Sequence, residues 1–409
     1  MKLLFVIPYA PSPIRVRSFN LTRGMARRGH QLTLATLWTD PEELEALRGL
    51  RGEGIDVLAW PLPTWRSLLN CLAALPGLLP LQAVYSWSND FAGAIAGRLA
   101  DSSVSPYDVV HVEHVRGACY GQFIGRQLER IGRPTPIVWD SVDCISYLFH
   151  QTTQRSTRAA SRWVAAFERG RTERLESQMS RLVDRILVTS DVDRAALLST
   201  ADLNGAAEEK VAVLSNGVDL DFFAPISSEI VEPATILLSG KMSYHANVAM
   251  VEGFVREVLP RLHQERPDLQ VWIVGKDPPT RLRQLSADPR ITVTGTVPDM
   301  RPYLRKATVA SAPLTYGAGI QNKALEAMAC GTPVVVSTIV ANSLRGRPGQ
   351  DYLVAAEPDE HARAILELIG DRERRRRVGR AGRRYVEQHH RWSDVAASLE
   401  EIYLGLNGH

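Results

Sequence analysis

The chain has 409 residues, 45% hydrophobic and 23% charged, which excludes disordered and fibrous classes and exceeds one ordinary core, so two domains are expected. A formal net charge of +3 does not call for nucleic acid or a membrane. The four cysteines, Cys71, Cys119, Cys144 and Cys330, show neither zinc nor disulfide spacing, which fits a reducing cytoplasm.

In chain order, MKLLFVIPYAPSP reaches proline at position 8, too early for a signal peptide, and reads as a first strand. Short apolar runs followed by helical patterns then recur at QLTLATL (31–37), YDVVHV (107–112), PIVWD (136–140) and DRILVTS (184–190). Between them, SLLNCLAALPGLLPLQAV (67–84) is interrupted by Asn70, Pro76, Gly77 and Pro80 and makes a poor membrane span. A buried helix is the preferred reading there, and a surface segment dipping into a bilayer is the alternative.

A second series is expected after position 205, in the order VAVLS (211–215), ATILLSG (234–240), LQVWIVG (269–275), RITVTG (290–295), ATVASAP (307–313) and TPVVVS (332–337). Continuous apolar strands alternating with helices predict an α/β protein built of two Rossmann-like parallel-sheet domains facing across a cleft. The polar stretch 200–210 sets expected domains of 1–205 and 206–385, with a C-terminal helix at 386–409 crossing back onto the first domain. The run RERRRR (372–377) has no interleaved aromatics and no nucleic-acid motif, so it reads as a solvated helix face, with anionic lipid headgroups as the other partner weighed. No GxGxxG follows the first strand and no Walker A sequence is present, which argues against a dinucleotide dehydrogenase and a P-loop enzyme.

Ligands of open parallel sheets bind beyond the carboxyl ends of the strands. The stretch YGAGIQNKALEAMACGTPVVV (316–336) places a glycine turn, then a short helix, at such a point. The amides of a helix start at Gly319, Ile320, Gln321 and Asn322 and the helix dipole suit a phosphate, Lys323 adds a cation, and Glu326, one turn on, suits ribose hydroxyls. Ordinary surface charge is the competing reading. In the first loop, Arg15 and Arg17 alternate along PSPIRVRSFN (11–20) and suit a phosphate of donor or acceptor, with solvated charge as the alternative. His114, after a strand end, is expected to face the ligand, whereas His111 within the strand is expected in the core.

These stretches resemble family 4 of the retaining glycosyltransferases, enzymes of GT-B fold that use nucleotide-activated sugars. The resemblance rests on VLSNGVDLDFFAP (213–225), ILLSGKMSYHAN (236–247), VTGTVPDMRPYL (293–304), LEAMACGTPVV (325–335) and the N-terminal spacing through GMARRGHQLTLAT (24–36). Val142–Asp143 and GAGIQNK (317–323) look closest to exopolysaccharide- and exosortase-associated sugar transferases. The resemblance implies a cytoplasmic enzyme, with an alternative of peripheral contact with the inner membrane face. It would move a sugar with retention from a nucleoside diphosphate sugar (UDP, GDP or dTDP) to a glycan, lipid-linked or small-molecule acceptor. No cofactor, metal or nucleic acid would be required.

Gly240, Lys241 and Val297 then join the donor set, Lys241 and Lys323 would neutralise the leaving diphosphate, and Asp143 and Asp140 become candidates for acceptor contact or acid/base work. A helix-capping turn acid is the plain alternative for Asp143. The chain departs from the family pattern in the first loop (11–20), which lacks the usual glycine pair, and at four single positions. Ala318 stands where the first of two acids is usual, Lys241 replaces an arginine, Ala246 replaces a lysine, and Val142 replaces a histidine. A nucleotide-sugar epimerase and a non-catalytic nucleotide-sugar-binding protein are the rival readings.

Overall fold

The computed structural model describes residues 1–103, 105–156, 158–200, 205–226 and 234–407. Part of the expected interdomain stretch, 201–204, and the last two residues of the expected C-terminal helix lie outside the described residues. The chain divides into two compact units, one of Met1–His150, Trp163–Ser215 and Trp392–His409, the other of Gln151–Arg162 and Asn216–Arg391.

The first unit is built on seven strands: β1 (Lys2–Ile7), β2 (Gln31–Trp38), β3 (Asp56–Pro61), β4 (Val109–Glu113), β5 (Ile137–Val142), β6 (Arg185–Val188) and β7 (Val211–Val213). Their order is β3-β2-β1-β4-β5-β6-β7, and each neighbouring pair is parallel. β7, expected to open the second series, instead closes the first sheet, with Ile186 opposite Val211 and Val188 opposite Val213. Three residues of apolar strand carry no information about which sheet they join; the partner edge decides. β3 was not anticipated, because DVLAWP ends in proline and follows a glycine-rich turn.

Side chains alternate across β1. Leu3, Phe5 and Ile7 enter a core with Leu21, Met25, Leu399 and Tyr403, and Leu4 and Val6 enter another with Phe91, Tyr120 and Trp139. Covering both faces is what makes the strands read as unbroken apolar runs. The helix Trp392–Asn407 covers one face: an added Cβ at Gly24 would meet Ala396 Cβ at 2.8 Å, Glu400 pairs with Arg28 and lies 2.6 Å from His30, and Tyr403 Oη sits 2.7 Å from His111 Nδ1.

The apolar stretch 67–84 differs from the preferred expectation. It forms the helices Thr64–Ala74 and Leu81–Tyr85, and of the first only Ser67 is buried, while Trp65, Leu68, Leu69, Leu72, Leu75 and Leu78 are exposed. The run reaches the core only after Pro76, Gly77 and Pro80, at Ala83 and Val84. No helix among the described residues is long and apolar enough to cross a membrane.

The second unit holds β8 (Thr235–Ser239), β9 (Gln270–Val274), β10 (Ile291–Gly295), β11 (Val309–Ala312), β12 (Val334–Ser337) and β13 (Leu353–Ala355), ordered β10-β9-β8-β11-β12-β13 and parallel throughout. Strand order reverses direction between β1 and β4 in the first sheet and between β8 and β11 in the second. At such a reversal, successive crossovers leave to opposite faces and open a crevice at the carboxyl ends.

One buried ion pair holds the crevice side of the first sheet. Arg17, in the first turn of the helix Val16–Arg27, donates to both carboxylate oxygens of Asp140 on β5 at 2.7 and 3.0 Å, and to the Leu214 carbonyl at 2.9 Å. Both side chains are buried. Replacing Arg17 by methionine strands a carboxylate in the core, so Arg17→Met is expected to lose about 3–5 kcal/mol in chemical denaturation. An unchanged denaturation midpoint would mean the pair carries no such weight.

Candidate active site

The second unit's crevice is formed by the turn after β8 and the turn after β11. β8 is followed by Gly240, whose φ is +141°, and β9 by Gly275, whose φ is +155°. A Cβ at Gly275 would lie 1.7 Å from the Gly240 carbonyl oxygen, so the two chains meet backbone to backbone and only glycine fits. Gly275 was missed from sequence; its place at a strand end beside a second glycine turn is the signal that could have found it.

After β11, Tyr316 stacks on His245 with ring centroids 5.5 Å apart, and the Gly317 amide donates to Gln151 Oε1 at 3.1 Å. Gly319 adopts φ +67°, Ile320 is buried, and Gln321 turns its Nε2 back to donate to the Ala318 carbonyl at 3.1 Å. The helix Asn322–Ala329 then begins, burying Ala324, Leu325, Ala327, Met328 and Ala329. It stops at Gly331, φ +77°, where the amides of Gly331 and Thr332 donate to the Met328 and Ala327 carbonyls. Eight residues are too few for an independent helix, so this buried face holds the turn in place.

Lys323 here lies against the turn that carries Lys241. The Lys323 Cε lies 3.4 Å from where a Gly240 Cβ would sit, and its ammonium donates to Asn247 Oδ1. Asn247 in turn donates from Nδ2 to the Lys241 carbonyl at 2.9 Å. One buried amide thus ties the two lysine-bearing turns, beside the buried Ala246 that occupies the usual lysine position. Asn247 was not anticipated; a polar residue amid the apolar face of HANVAMVEG is its only trace in the sequence.

Burial pushes the Lys323 ammonium down to about 8, with Glu326 opposing the shift. Burial also pushes the Glu326 carboxyl up to about 7, with Lys323 opposing it. Each group is thus poised to respond to a ligand charge or hydrogen bond. Lys241 is exposed and its ammonium has no partner among the described residues. Asn322 Oδ1 accepts from Asn216 Nδ2 at 3.1 Å, and Val297 is half-buried on the turn after β10, the edge strand of the sheet.

In the first unit, two strand ends carry backbone strain. His114, after β4, has φ +66°, and Val142, at the end of β5, has φ +69°, which is an outlier for a β-branched residue. His114 is half-buried, and burial holds its imidazole down at about 4, so it is neutral near pH 7. Asp143 accepts from Thr189 Oγ1 at 3.3 Å, and burial followed by nearby Asp193 pushes its carboxyl up to about 7.

Arg15 and Arg17, expected side by side as phosphate contacts, part company. Arg15 faces Glu43 at 3.0 Å and the Ala10 carbonyl at 2.8 Å, whereas Arg17 and Asp140 are used up on each other. Helical spacing replaces the expected extended alternation because Val16 already begins the helix. Behind them, Tyr9 donates to Glu113 at 2.6 Å, and burial, then Asp140, push the Glu113 carboxyl up to about 8. His111, expected in the core, is there, held neutral by burial.

Residues 14–217 match the family described as "Glycosyl transferase 4-like domain" and residues 233–371 the one described as "Glycosyl transferases group 1". The chain is 29% identical over 254 residues to D-inositol 3-phosphate glycosyltransferase 2 of Catenulispora acidiphila, a match covering 56% of this chain and 57% of the relative. It is 32% identical over 210 residues to phosphatidyl-myo-inositol mannosyltransferase of Mycobacterium tuberculosis, covering 48% and 54%. The chain thus spans about half the length of the curated relatives it matches. Among solved structures it is similar to sucrose-phosphate synthase from Thermosynechococcus elongatus (18% identity, TM-score 0.70, 99% of each chain). It is also similar to Anabaena HepE in complex with UDP (15% identity, TM-score 0.68, 99% of this chain and 100% of the other). At these identities the likeness establishes the fold, which is GT-B.

The double glycine contact makes a graded prediction. Gly240→Ala forces Asn247 to move and is expected to cost about 1–3 kcal/mol in thermal denaturation. Gly275→Ala, which drives a methyl into a fixed carbonyl, is expected to cost more; equal melting of the two variants would contradict the contact.

Proposed function

Because the chain belongs to the group 1 glycosyl transferases with a 4-like first half, we propose that it moves a hexosyl-type sugar from a nucleoside diphosphate sugar to an acceptor hydroxyl, with retention and without a metal. The observation that carries this reading is the tie through Asn247 between Lys323 and the turn that bears Lys241 at the β8/β11 reversal, with Glu326 one turn on. The glycine turn offers amides and a helix start to the two phosphates, and the ammonium groups compensate the charge that grows on the leaving diphosphate. Glu326 holds the ribose hydroxyls, and a carboxyl pushed up to about 7 can both donate and accept there. Cationic side chains supply in this way what a divalent ion supplies elsewhere.

The Anabaena HepE complexes with UDP and with UDP-glucose support a nucleotide sugar as donor. The inositol phosphate and phosphatidylinositol named in the relatives support an acceptor presented as a polyol or a lipid-linked glycan. On the first unit, Asp143, His114 and Arg15 are assigned to the acceptor, with the strained backbone at His114 and Val142 fixing their direction. Asp140 and Arg17 serve that set indirectly, as its buried support.

Lys323 must be protonated to hold a diphosphate, and burial has brought its free pKa to about 8. Affinity for UDP or GDP in calorimetry should therefore be level below pH 7.5 and fall by up to about tenfold per pH unit above 8. Binding near pH 8 should take up a proton. Lys323→Ala should weaken the diphosphate by about tenfold or more and flatten this slope, and Glu326→Ala should weaken it at every pH. Unchanged affinity in both variants would remove the assigned site. Sugar interconversion without any acceptor would instead favour an epimerase.

Peripheral membrane contact is assigned to the exposed face of the helix Thr64–Ala74. Trp65, Leu68, Leu69 and Leu72 face solvent beside Arg66, the pattern of a helix lying in a headgroup layer. Sedimentation with phosphatidylglycerol vesicles is expected, and Leu68→Glu/Leu72→Glu should abolish it while leaving nucleotide affinity unchanged. Equal sedimentation of that variant would refute the assignment.

A further inference from the structure

Asn322 opens the helix that carries Lys323, and its side chain is held by its oxygen alone. Asn216 Nδ2 donates to Asn322 Oδ1 at 3.1 Å. An amide is planar, with its acceptor and its donors on opposite branches, so committing the oxygen to Asn216 turns the nitrogen away from it. Asn322 is half-buried, and its Nδ2 has no partner among the described residues.

The surroundings of that nitrogen favour an anion. The N-cap Gln321 makes no capping bond with its side chain, which folds back to the Ala318 carbonyl, and the first turn holds no acid. The positive end of the helix dipole therefore lacks the side-chain oxygen that usually meets it. With no ligand bound, an asparagine oxygen turned to this end would be the favourable arrangement. Asn216 takes that oxygen away and leaves N–H groups beside a helix start and beside Lys323, whose ammonium is itself held by an amide oxygen.

The direction of Asn216 is imposed from behind. Asn216 is 6% exposed, and His390 clamps its main chain: Nδ1 donates to the Asn216 carbonyl at 2.8 Å, and the His390 carbonyl accepts from the Val218 amide at 2.7 Å. A carbonyl only accepts, so Nδ1 carries the ring proton and Nε2 is left as an acceptor. The Tyr385 hydroxyl, 2.9 Å away, is then the donor to Nε2, and its oxygen receives the Arg345 amide at 3.0 Å. Burial holds the His390 imidazole down at about 4, so this order of donors and acceptors is constant near pH 7. Tyr385 is itself wedged, since a Cβ at Gly346 would come 3.2 Å from its ring. Every bond in the series, from Arg345 through Tyr385, His390 and Asn216, donates toward Asn322, and all five residues belong to the second unit.

We infer that Asn216 and His390 are positioning residues of the nucleotide site: through them the Asn322 side chain meets the donor's diphosphate with its N–H groups and not with its oxygen. The inference rests on the reading of this turn as the diphosphate site. An N–H pair next to an ammonium group suits a non-bridging phosphate oxygen, and the flipped amide would present oxygen to oxygen.

Calorimetry of the full chain with UDP and with GDP, following whichever nucleotide binds more tightly, is read beside thermal denaturation. Asn322→Asp keeps an oxygen for Asn216 and places an acid at the positive end of the helix, so melting should hold or rise. The same change sets a carboxylate oxygen against the phosphate, so affinity should fall by about tenfold or more. A purely structural role would move both readings together. Affinity in Asn322→Asp within about threefold of the unaltered chain would overturn the inference.

Asn216→Ala should weaken the nucleotide by about threefold or more, and by less than about twofold once Asn322→Ala is present, because it acts through Asn322. Equal losses in the two backgrounds would overturn its positioning role. His390→Ala should follow Asn216→Ala, whereas His390→Asn, whose amide nitrogen can replace Nδ1 against the Asn216 carbonyl, should recover most of the loss. No recovery in a His390→Asn chain that is folded by circular dichroism would remove His390 from the series. Lost affinity in Lys323→Ala with none lost in Asn322→Asp sinks this inference alone. Unchanged affinity in both Lys323→Ala and Glu326→Ala, or no heat from either nucleotide with the unaltered chain, removes the diphosphate site and this inference with it.

Discussion

The backbone contact between Gly240 and Gly275 is the constraint from which the second unit's chemistry follows. With no side chain on Gly275, the segments after β8 and β9 close backbone to backbone, and with none on Gly240, Asn247 and Lys323 pack directly against that turn. Asn247 then completes the arrangement with two hydrogen bonds, one to each lysine-bearing segment. The cation is held by an amide oxygen and not by a carboxylate, so its charge stays available to a ligand. That availability is costly in the free protein, as the opposed shifts of Lys323 and Glu326 show.

The two units solve the same problem with different chemistry. Both sheets reverse strand order at one point, and both place functional turns at the carboxyl ends there. The first unit stiffens its reversal with a buried cluster of Arg17, Asp140, Glu113, Tyr9 and His111, in which a single full ion pair is surrounded by groups driven toward neutrality. Strain at His114 and Val142 is sustained by this cluster. The second unit relies on glycine and one asparagine, which bring backbone against backbone at its reversal.

Much of the fold was legible because parallel strands buried on both faces leave unbroken apolar runs. KLLFVI and TILLS were read for that reason, whereas DVLAWP and the three-residue β13 were too short or too mixed to stand out. β7 was seen as a strand and placed in the wrong series, since strand pairing is decided by an edge far away in the chain. In the candidate site, the glycine turn at Gly319 and the helix start that carries Lys323 and Glu326 follow from one contiguous stretch. Asn247, Gly275 and Gln151 could not be read that way, because their roles exist only where separate turns converge. Arg17 shows the reverse failure: a residue type suited to phosphate was already spent on Asp140, 123 residues away.

The first unit is stitched from segments that bracket the second, and its last piece is the helix Trp392–Asn407. Tyr403 reaches back 292 positions to His111, and Ala396 seats against Gly24. During synthesis the second unit can therefore fold as soon as Arg391 clears the ribosome tunnel, while the first waits with one sheet face only partly covered, by Leu21, Met25, Leu47 and Leu50, until the helix Trp392–Asn407 emerges. β1, whose Leu3, Phe5 and Ile7 lie on that face, is among the last strands to be sealed, and a chaperone has its clearest opportunity on this nascent chain in that interval.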